Sequence, residues 1–483
     1  MLVGVVVAAV LVGIGVVVLR QGGQDESTVA EPGDITLSST PLPAPEFPIR
    51  VGENGRTLVD AEGDMFHGLF DTGWNALTRM TRDEFTDYAE TRREQGYTGL
   101  LLSVLDFSTT QRTEAVGGTP FTEDGSDADL SRPRIIEGDD NDHWDHVEWA
   151  VDELERLGLV AVLVPNWHQQ SGGSWRGHLT DDSAVDYGEF LAERLGDTSN
   201  VWWMLGGDNR PKADASKWTS EVPRGLNDGD VTQEVNLLAE SIKDNATVPQ
   251  LMTYHTDRRD TAWTYFGEEE WYDLHAAYSG IEGTARRTLP EYERDGVKPV
   301  FLVEGLYDRP TPDDRGELDL SREQLRRQAW SAFLGGAVAV ANGHELVWPV
   351  EEGWQDALQA PSAKDLTLLS EVLATYQDSE LVPDLHEDAD PAGRSLLSGY
   401  GTGDDLGMGA VSTDKKVGIT YLPSRRERVI VNLDAYDGIP ELAWLHPGTG
   451  ELLQIDFDTE DANLEIATPE GWTDAVLIAD VRN

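Results

Sequence analysis

The chain opens on its longest apolar run. Met1–Leu19, MLVGVVVAAVLVGIGVVVL, carries no charged side chain and is long enough to cross a bilayer as one helix. A cleaved signal peptide needs a basic start and a shorter apolar stretch. Here the start is uncharged and QGGQDEST comes next, so residues 1–20 read as an uncleaved transmembrane anchor. Residues 21–47 are polar and rich in Gly, Pro, Ser and Thr, and read as a disordered linker with no core of its own. From Ile49 the pattern changes to short apolar runs alternating with helical spacing. Met65–Phe70, Gly99–Leu105, Leu159–Pro165, Val201–Leu205, Gln250–His255, Leu274–Tyr278, Val297–Val303 and Ala337–Ala341 are nearly continuous in hydrophobicity. That is how strands of a parallel sheet covered on both faces read. Helical spacing marks Arg82–Gln95, Asp142–Leu157, Ala184–Leu195, Glu234–Lys243, Arg322–Leu334 and Asp365–Tyr376, with Gly96 and Gly158 as stops.

Strand–helix units repeated over residues 48–381 predict an α/β protein, a (β/α)8 TIM barrel with enlarged loops. The polar insertion Asp106–Asp140 is the largest of these and belongs to the active-site end or to a lid. A doubly wound open sheet is the runner-up, but no Gly-rich phosphate loop comes after the first strand. After Val382 the runs become short and alternating, separated by turns such as Pro447-Gly448-Thr449-Gly450. Residues 382–483 therefore predict a small antiparallel β-sandwich.

The polar residues that close the apolar runs hold the candidate chemistry. Val201–Asp208, VWWMLGGD, and Pro299–Glu304, PVFLVE, each end in an acid. Barrel enzymes keep their chemistry at the C-terminal ends of the strands. Two carboxyl groups from different strands, one protonated and one ionised, are what a retaining glycosidase needs, about 5–5.5 Å apart. Alone, Gly-Gly-Asp is a turn and Val-Glu-Gly says nothing; the strand-end position of both makes Asp208 and Glu304 the candidate pair. Asp71 and Trp74 close the first strand, Trp167 and His168 the third, and His255 the fifth; Tyr307 and Trp348 come after the seventh and eighth. Each could bind a sugar hydroxyl or stack on a sugar ring. For Asp71, Trp74, Trp167 and His168 a turn or core role fits equally. Trp202 and Trp203 lie inside a strand and read as packing.

Charge narrows the class. Asp and Glu number 89 against 37 Lys and Arg, of which seven are lysines, for a formal net charge of −52. Acids spread along the chain favour solubility in high salt and read as halophilic. They also argue against nucleic acid as a partner, since phosphate binding needs basic patches. The absence of cysteine excludes disulfides and thiolate chemistry. The ten histidines form no HExxH motif, and the acidic runs Glu123–Asp129 and Glu137–Asp142 lack EF-hand spacing. No catalytic metal and no cofactor are expected. Arg20 alone would put the remainder of the chain in the cytoplasm, whereas a hydrolase of external glycans faces outward. The second orientation is adopted: a membrane-anchored monomer with an extracellular catalytic domain and a carbohydrate substrate. The sequon Asn245-Ala246-Thr247 matters only in that orientation.

The segment FDTGWNALTRMTRDEFTDYAETRREQGYTGLLL resembles the first βαβ unit of the apiosidase-like glycoside hydrolases. HWDHVEWAVDELERLGLVAVLVPNWH, YGEFLAERLGDTSNVWWMLGGD, KPVFLVEGLYD and QAWSAFLGGAVAVANG continue the resemblance in order, and ITYLPS and LAWLHPGTGE resemble the collagen-binding-type sandwich domain that often accompanies it. The resemblance implies a barrel of the large retaining-glycosidase clan, with Asp208 as acid/base and Glu304 as nucleophile. Where relatives often end strand six in a Gln-Ser-Gly-His-like sequence, this chain has Ala277-Tyr278-Ser279-Gly280-Ile281, so the contacts there are not carried over. Two other readings stand beside this one: a non-catalytic glycan-binding or adhesion protein on the same scaffold, and another glycosidase of the clan, such as a β-mannanase-like enzyme.

Overall fold

The structure, a computed structural model, describes residues 34–106, 115–121, 129–138, 140–168, 175–212, 229–258, 260–280, 283–309, 321–457 and 462–482, with the backbone of 18–21. Eight strands form one parallel sheet: β1 Gly68–Thr72, β2 Gly99–Ser103, β3 Val160–Val164, β4 Val201–Gly206, β5 Met252–His255, β6 His275–Tyr278, β7 Val300–Glu304 and β8 Ala337–Asn342. Their order is β6-β7-β8-β1-β2-β3-β4-β5, so the sheet curls until β5 and β6 face each other. Asp273 bridges that seam. Its N–H donates to Met252 O at 2.9 Å and its carboxylate accepts Met252 N–H at 3.0 Å. Thr253 Oγ1 donates to Leu274 O at 2.8 Å. The result is a nearly closed barrel. Alternation along the strands sends Phe70, Trp202 and Phe301 inward, where Phe70 meets Trp202 at 5.4 Å and Phe301 at 5.3 Å between ring centroids. The barrel is a packed core, as its fold class requires.

The expected first strand began too early. Met65–Phe66 belongs to a separate three-stranded antiparallel sheet with Arg50–Val51 and Leu58–Val59. Phe66 still reaches Trp202, at 5.9 Å. The outer layer comprises α1 Arg82–Glu94, α2 His143–Arg156, α3 Asp181–Leu195, α4 Thr232–Asn245, α5 Ala285–Tyr292, α6 Arg322–Leu334 and α7 Pro361–Thr375. Thr81 and Asp142 start α1 and α2 with capping boxes, each side chain accepting backbone N–H groups of the first turn. In the acidic run Glu137–Asp142, Asp142 is thus a helix cap. Glu123–Asp129, except Asp129, and residues 107–114 of the polar insertion lie outside the described residues. α5 escaped the sequence pattern because it is short and contains Pro290.

The C-terminal region forms two antiparallel sheets. One runs, in order, Val18–Gln21, Leu452–Asp456, Glu441–Leu445, Ala475–Asp480, Val417–Leu422, Met408–Ser412 and Leu381–Pro383; the other joins Leu396–Ser398, Val429–Asn432 and Asn463–Ile466. The larger sheet is buried on both faces, and the period of two divides its side chains. Leu477 and Ala479 pack with Val429 and Val431 of the smaller sheet. Val417, Ile419, Tyr421, Val476 and Ile478 pack with the barrel's Trp330, Leu366 and Leu369. At this junction the Trp330 ring stacks on Tyr421, 6.1 Å between centroids and 9° between planes. Beside it, Arg326 pairs with Asp474 at 2.7 Å and Asp365 at 3.2 Å, Arg322 also holds Asp365, and the Tyr421 hydroxyl donates to Asp474 at 3.0 Å.

Two N-terminal expectations change. Val18–Gln21 is extended and pairs antiparallel with Leu453–Asp456, so the run Met1–Leu19 does not continue as a helix to its end. Met1–Val17 lies outside the described residues, and among the described residues no helix is long and apolar enough to cross a membrane. The linker expectation fails from residue 34 onward. Ile35 and Leu42 are buried; the backbone of Ile35 exchanges hydrogen bonds with the Gln454 amide, and Leu42 N–H donates to Ser370 Oγ at 3.0 Å. A polar average over this stretch conceals two isolated apolar anchors.

Candidate active site

Asp208 sits just past the end of β4, separated from it by Gly207. Gly206 and Gly207 both have positive φ, 86° and 127°. A Cβ on Gly206 would lie 2.6 Å from the Tyr254 ring, and one on Gly207 2.5 Å from the Trp167 ring. Only glycine satisfies both demands. The bend carries Asp208 into the left-handed region, φ 46°, one of the few non-glycine residues found there. The loop beyond is braced by buried Arg176, whose guanidinium donates to the Asn209 side chain, to Arg210 O at 2.7 Å and to Pro211 O at 2.9 Å.

Glu304 ends β7 and His255 ends β5. One carboxylate oxygen of Asp208, one of Glu304 and a ring nitrogen of His255 all lie within 4.8 Å of one another. His255 Nε2 is 2.8 Å from Glu304 Oε2, and Nδ1 accepts the backbone N–H of Asp208 at 3.2 Å. Tyr278, at the end of β6, hydrogen-bonds the Asp208 carboxyl, and Tyr307 hydrogen-bonds Glu304. The walls are aromatic. Trp74 meets Trp167 at 5.0 Å, and the His255 ring contacts Trp74, Trp167 and Tyr278 at 5.8, 5.3 and 5.1 Å. The Trp74 indole N–H donates to Tyr307 O–H at 2.7 Å.

Burial, and then the charge of Glu304, push the Asp208 carboxyl up to about 7. Among the described residues no arginine pairs with it. Arg210, two residues on, is drawn away by Asp260 at 3.0 Å and Asp257 at 3.9 Å. Burial and the neighbouring carboxylates drive the Tyr278 hydroxyl far above its ordinary value, so it stays a phenol. Burial disfavours a charged His255, but the Glu304 contact and the charges of Glu304 and Asp208 outweigh it and raise its pKa. The Asp208 amide hydrogen opposes that rise, since a proton on Nδ1 would face it.

These three residues are spaced to hold a metal ion, but the hydrogen bond to Nδ1 is at odds with one bound through Nε2. A ring bound to metal through Nε2 carries its proton on Nδ1, and here Nδ1 receives an N–H. The neutral ring instead carries its proton on Nε2, the nitrogen 2.8 Å from Glu304 Oε2.

The remaining expected residues divide. Trp74, Trp167, His255 and Tyr307 gather with the acid pair. Asp71 does not: it is fully buried, and its carboxylate accepts Tyr88 O–H at 2.6 Å and Arg92 Nε–H at 2.8 Å. It faces the helix layer, because inward-facing Phe70 precedes it on β1. His168 also turns away from solvent. Burial, then the charge of Arg176, lower its pKa to about 3, and its backbone N–H donates to Gly206 O at 3.2 Å. Trp348 lies in the segment after β8, where its indole donates to Glu345 at 3.1 Å and its carbonyl accepts Asn75 N–H. Tyr278 is a site residue that the sequence pattern does not single out. Its one signal is its place at the end of strand six.

The family described as Apiosidase-like, catalytic domain, matches residues 52–379. Among solved structures the chain is similar to a glycoside hydrolase family 5 protein from Bacteroides vulgatus, at 23% identity and a TM-score of 0.74, covering 89% of this chain and 93% of that one. A second, described as a glycoside hydrolase, matches at 22% identity and a TM-score of 0.74, covering 92% and 99%. At these identities the likeness speaks for the fold. A search of curated proteins returns no match. With more than half its length matched by that catalytic domain, the chain belongs to the Apiosidase-like family and is a glycoside hydrolase.

Proposed function

We propose that the enzyme cleaves a glycosidic bond with retention of anomeric configuration, using Asp208 as acid/base and Glu304 as nucleophile. The observation that carries this reading is the pair of carboxyl groups from β4 and β7 within 4.8 Å, one of them raised to about 7. That spacing suits direct attack on the anomeric carbon and is shorter than the ~6.5–9.5 Å an inverting enzyme leaves for water. Asp208 holds a proton near neutral pH and gives it to the leaving oxygen. Glu304 attacks and forms a glycosyl ester. Asp208, now ionised, takes a proton from the water that opens the ester and is restored. Trp74, Trp167 and Tyr307 form the walls against which a sugar ring packs.

The substrate belongs to the glycans outside the cell, and the barrel acts there as a monomer. Protease accessibility in intact cells and light scattering test those two points. A hydrolysis screen of plant and microbial glycans in molar salt, with Asp208→Ala and Glu304→Ala as controls, tests the chemistry. NMR of the first-formed product should show the substrate's anomer. Inverted product, or full activity in either variant, would reject the assignment.

A further inference from the structure

His255 touches both halves of the acid pair through different atoms. It is fully buried on β5, and its two nitrogens are committed in opposite senses, Nδ1 to the Asp208 amide and Nε2 toward Glu304. We propose that His255 is a positioning residue that works as a neutral Nε2–H tautomer, setting its N–H beside Glu304 and fixing the left-handed turn that presents Asp208. This rests on the proposed roles of Asp208 and Glu304.

Hydrogen count carries the inference. A neutral imidazole has one N–H and one bare nitrogen. The Asp208 amide can only donate, so it selects the ring whose Nδ1 is bare. The proton then sits on Nε2, the nitrogen 2.8 Å from Glu304 Oε2, although the N–H is not in line with that oxygen. Among the described residues, the other groups around the ring give it no competing partner of that kind. Trp74 and Trp167 present ring faces and edges, and Tyr278, held as a phenol, is engaged with Asp208. Asp257 acts on Asp208 through its charge and lies 3.9 Å from Arg210. Protonating the ring would set an Nδ1–H against the Asp208 N–H, so acid releases the turn.

Two substitutions separate the two functions. His255→Asn places an acceptor near Nδ1 and removes the donor to Glu304. His255→Gln places a donor near Nε2 and removes the acceptor. In His255→Asn, which keeps the acceptor for the Asp208 N–H, the basic limb of kcat/KM should stay at about pH 7, where Asp208 gives up its proton. In His255→Gln, which loses that acceptor, the limb should move and kcat should fall about 10–100-fold. Equal losses in both variants with unmoved limbs would reduce His255 to a structural residue and overturn the proposal.

A second measurement needs no turnover. In the full chain labelled with 15N-histidine, the one ring absent from the His255→Asn spectrum should show protonated Nε2 and bare Nδ1 at about pH 9, well above the ordinary histidine value that its neighbours raise. A ring protonated on Nδ1, alone or together with Nε2, would also overturn the proposal. If the wild type hydrolyses no glycoside, the catalytic reading fails while this spectrum still decides the tautomer.

Discussion

Two regions bury charge, and they do so in opposite ways. At the junction between barrel and sandwich, Arg326 and Arg322 meet Asp365 and Asp474, and Tyr421 adds a donor. Cations and anions balance, and both Asp365 and Asp474 are buried. At the strand ends, Asp208 and Glu304 face each other with one histidine between them and, among the described residues, no arginine paired with either. A balanced cluster ties two layers together. An unbalanced one stores an unfavourable charge that a proton can relieve, and that proton is what the chemistry uses. Asp71 makes the same point within the barrel. It too ends a strand, yet Arg92 and Tyr88 neutralise it, and it is left outside the chemistry.

The contrast can be broken most severely at the acid pair. Asp208→Ala and Glu304→Ala should each lower kcat by about 10²–10⁴-fold or more. Melting temperatures should hold or rise, because each change removes one of two repelling carboxyl groups. Next in size is Arg326→Ala, which strands Asp474 and Asp365 without their shared cation. It should cost about 3–5 kcal/mol in denaturant unfolding and leave kcat per folded molecule unchanged. A loss of kcat with stability intact would merge two regions that we hold to be separate.

A smaller effect depends on pH. Asp208 titrates at about 7 in the folded chain, well above a free aspartate. Between about pH 4 and pH 7 the native state therefore binds more protons than the unfolded state, and this residue's share of stability falls as pH rises. Asp208→Asn should gain a few kcal/mol over the wild type at about pH 8 and much less near pH 4.5. In the wild type, kcat should decline above about pH 7 as the acid loses its proton. The smallest effect concerns the surface. With a net charge of −52, the wild type should melt higher in about 2 M than in about 0.1 M KCl. The difference between wild type and Asp208→Asn should be less sensitive to salt, because Glu304 is buried and Asp208 partly so.

Much of this was legible in the chain. Continuous apolar runs located the barrel strands, and acids placed after two of those runs marked Asp208 and Glu304. What could not be read was orientation and partnership. Asp71 looked like Asp208 at its strand end; its neutralisation depends on Tyr88 and Arg92 of α1, which no local pattern links to it. Tyr278 was visible only as a departure from a resemblance, since one tyrosine after two alanines carries no periodic signal. The burial of Ile35 and Leu42 was hidden because its cause lies in Gln454 and Ser370, hundreds of residues away. The N-terminal apolar run gave no sign that Val18–Gln21 would add a strand to the C-terminal sheet.

In the proposed reaction Glu304 forms a covalent bond to the sugar while Asp208 supplies and recovers the proton. Asp208→Ala, incubated with an activated aryl glycoside of a sugar that the wild type releases, should accumulate the glycosyl ester, because deglycosylation has lost its base. Intact mass, then peptide mapping, should find one added glycosyl unit, on Glu304. An adduct on another residue, or turnover to inverted product with no adduct at all, would contradict the account.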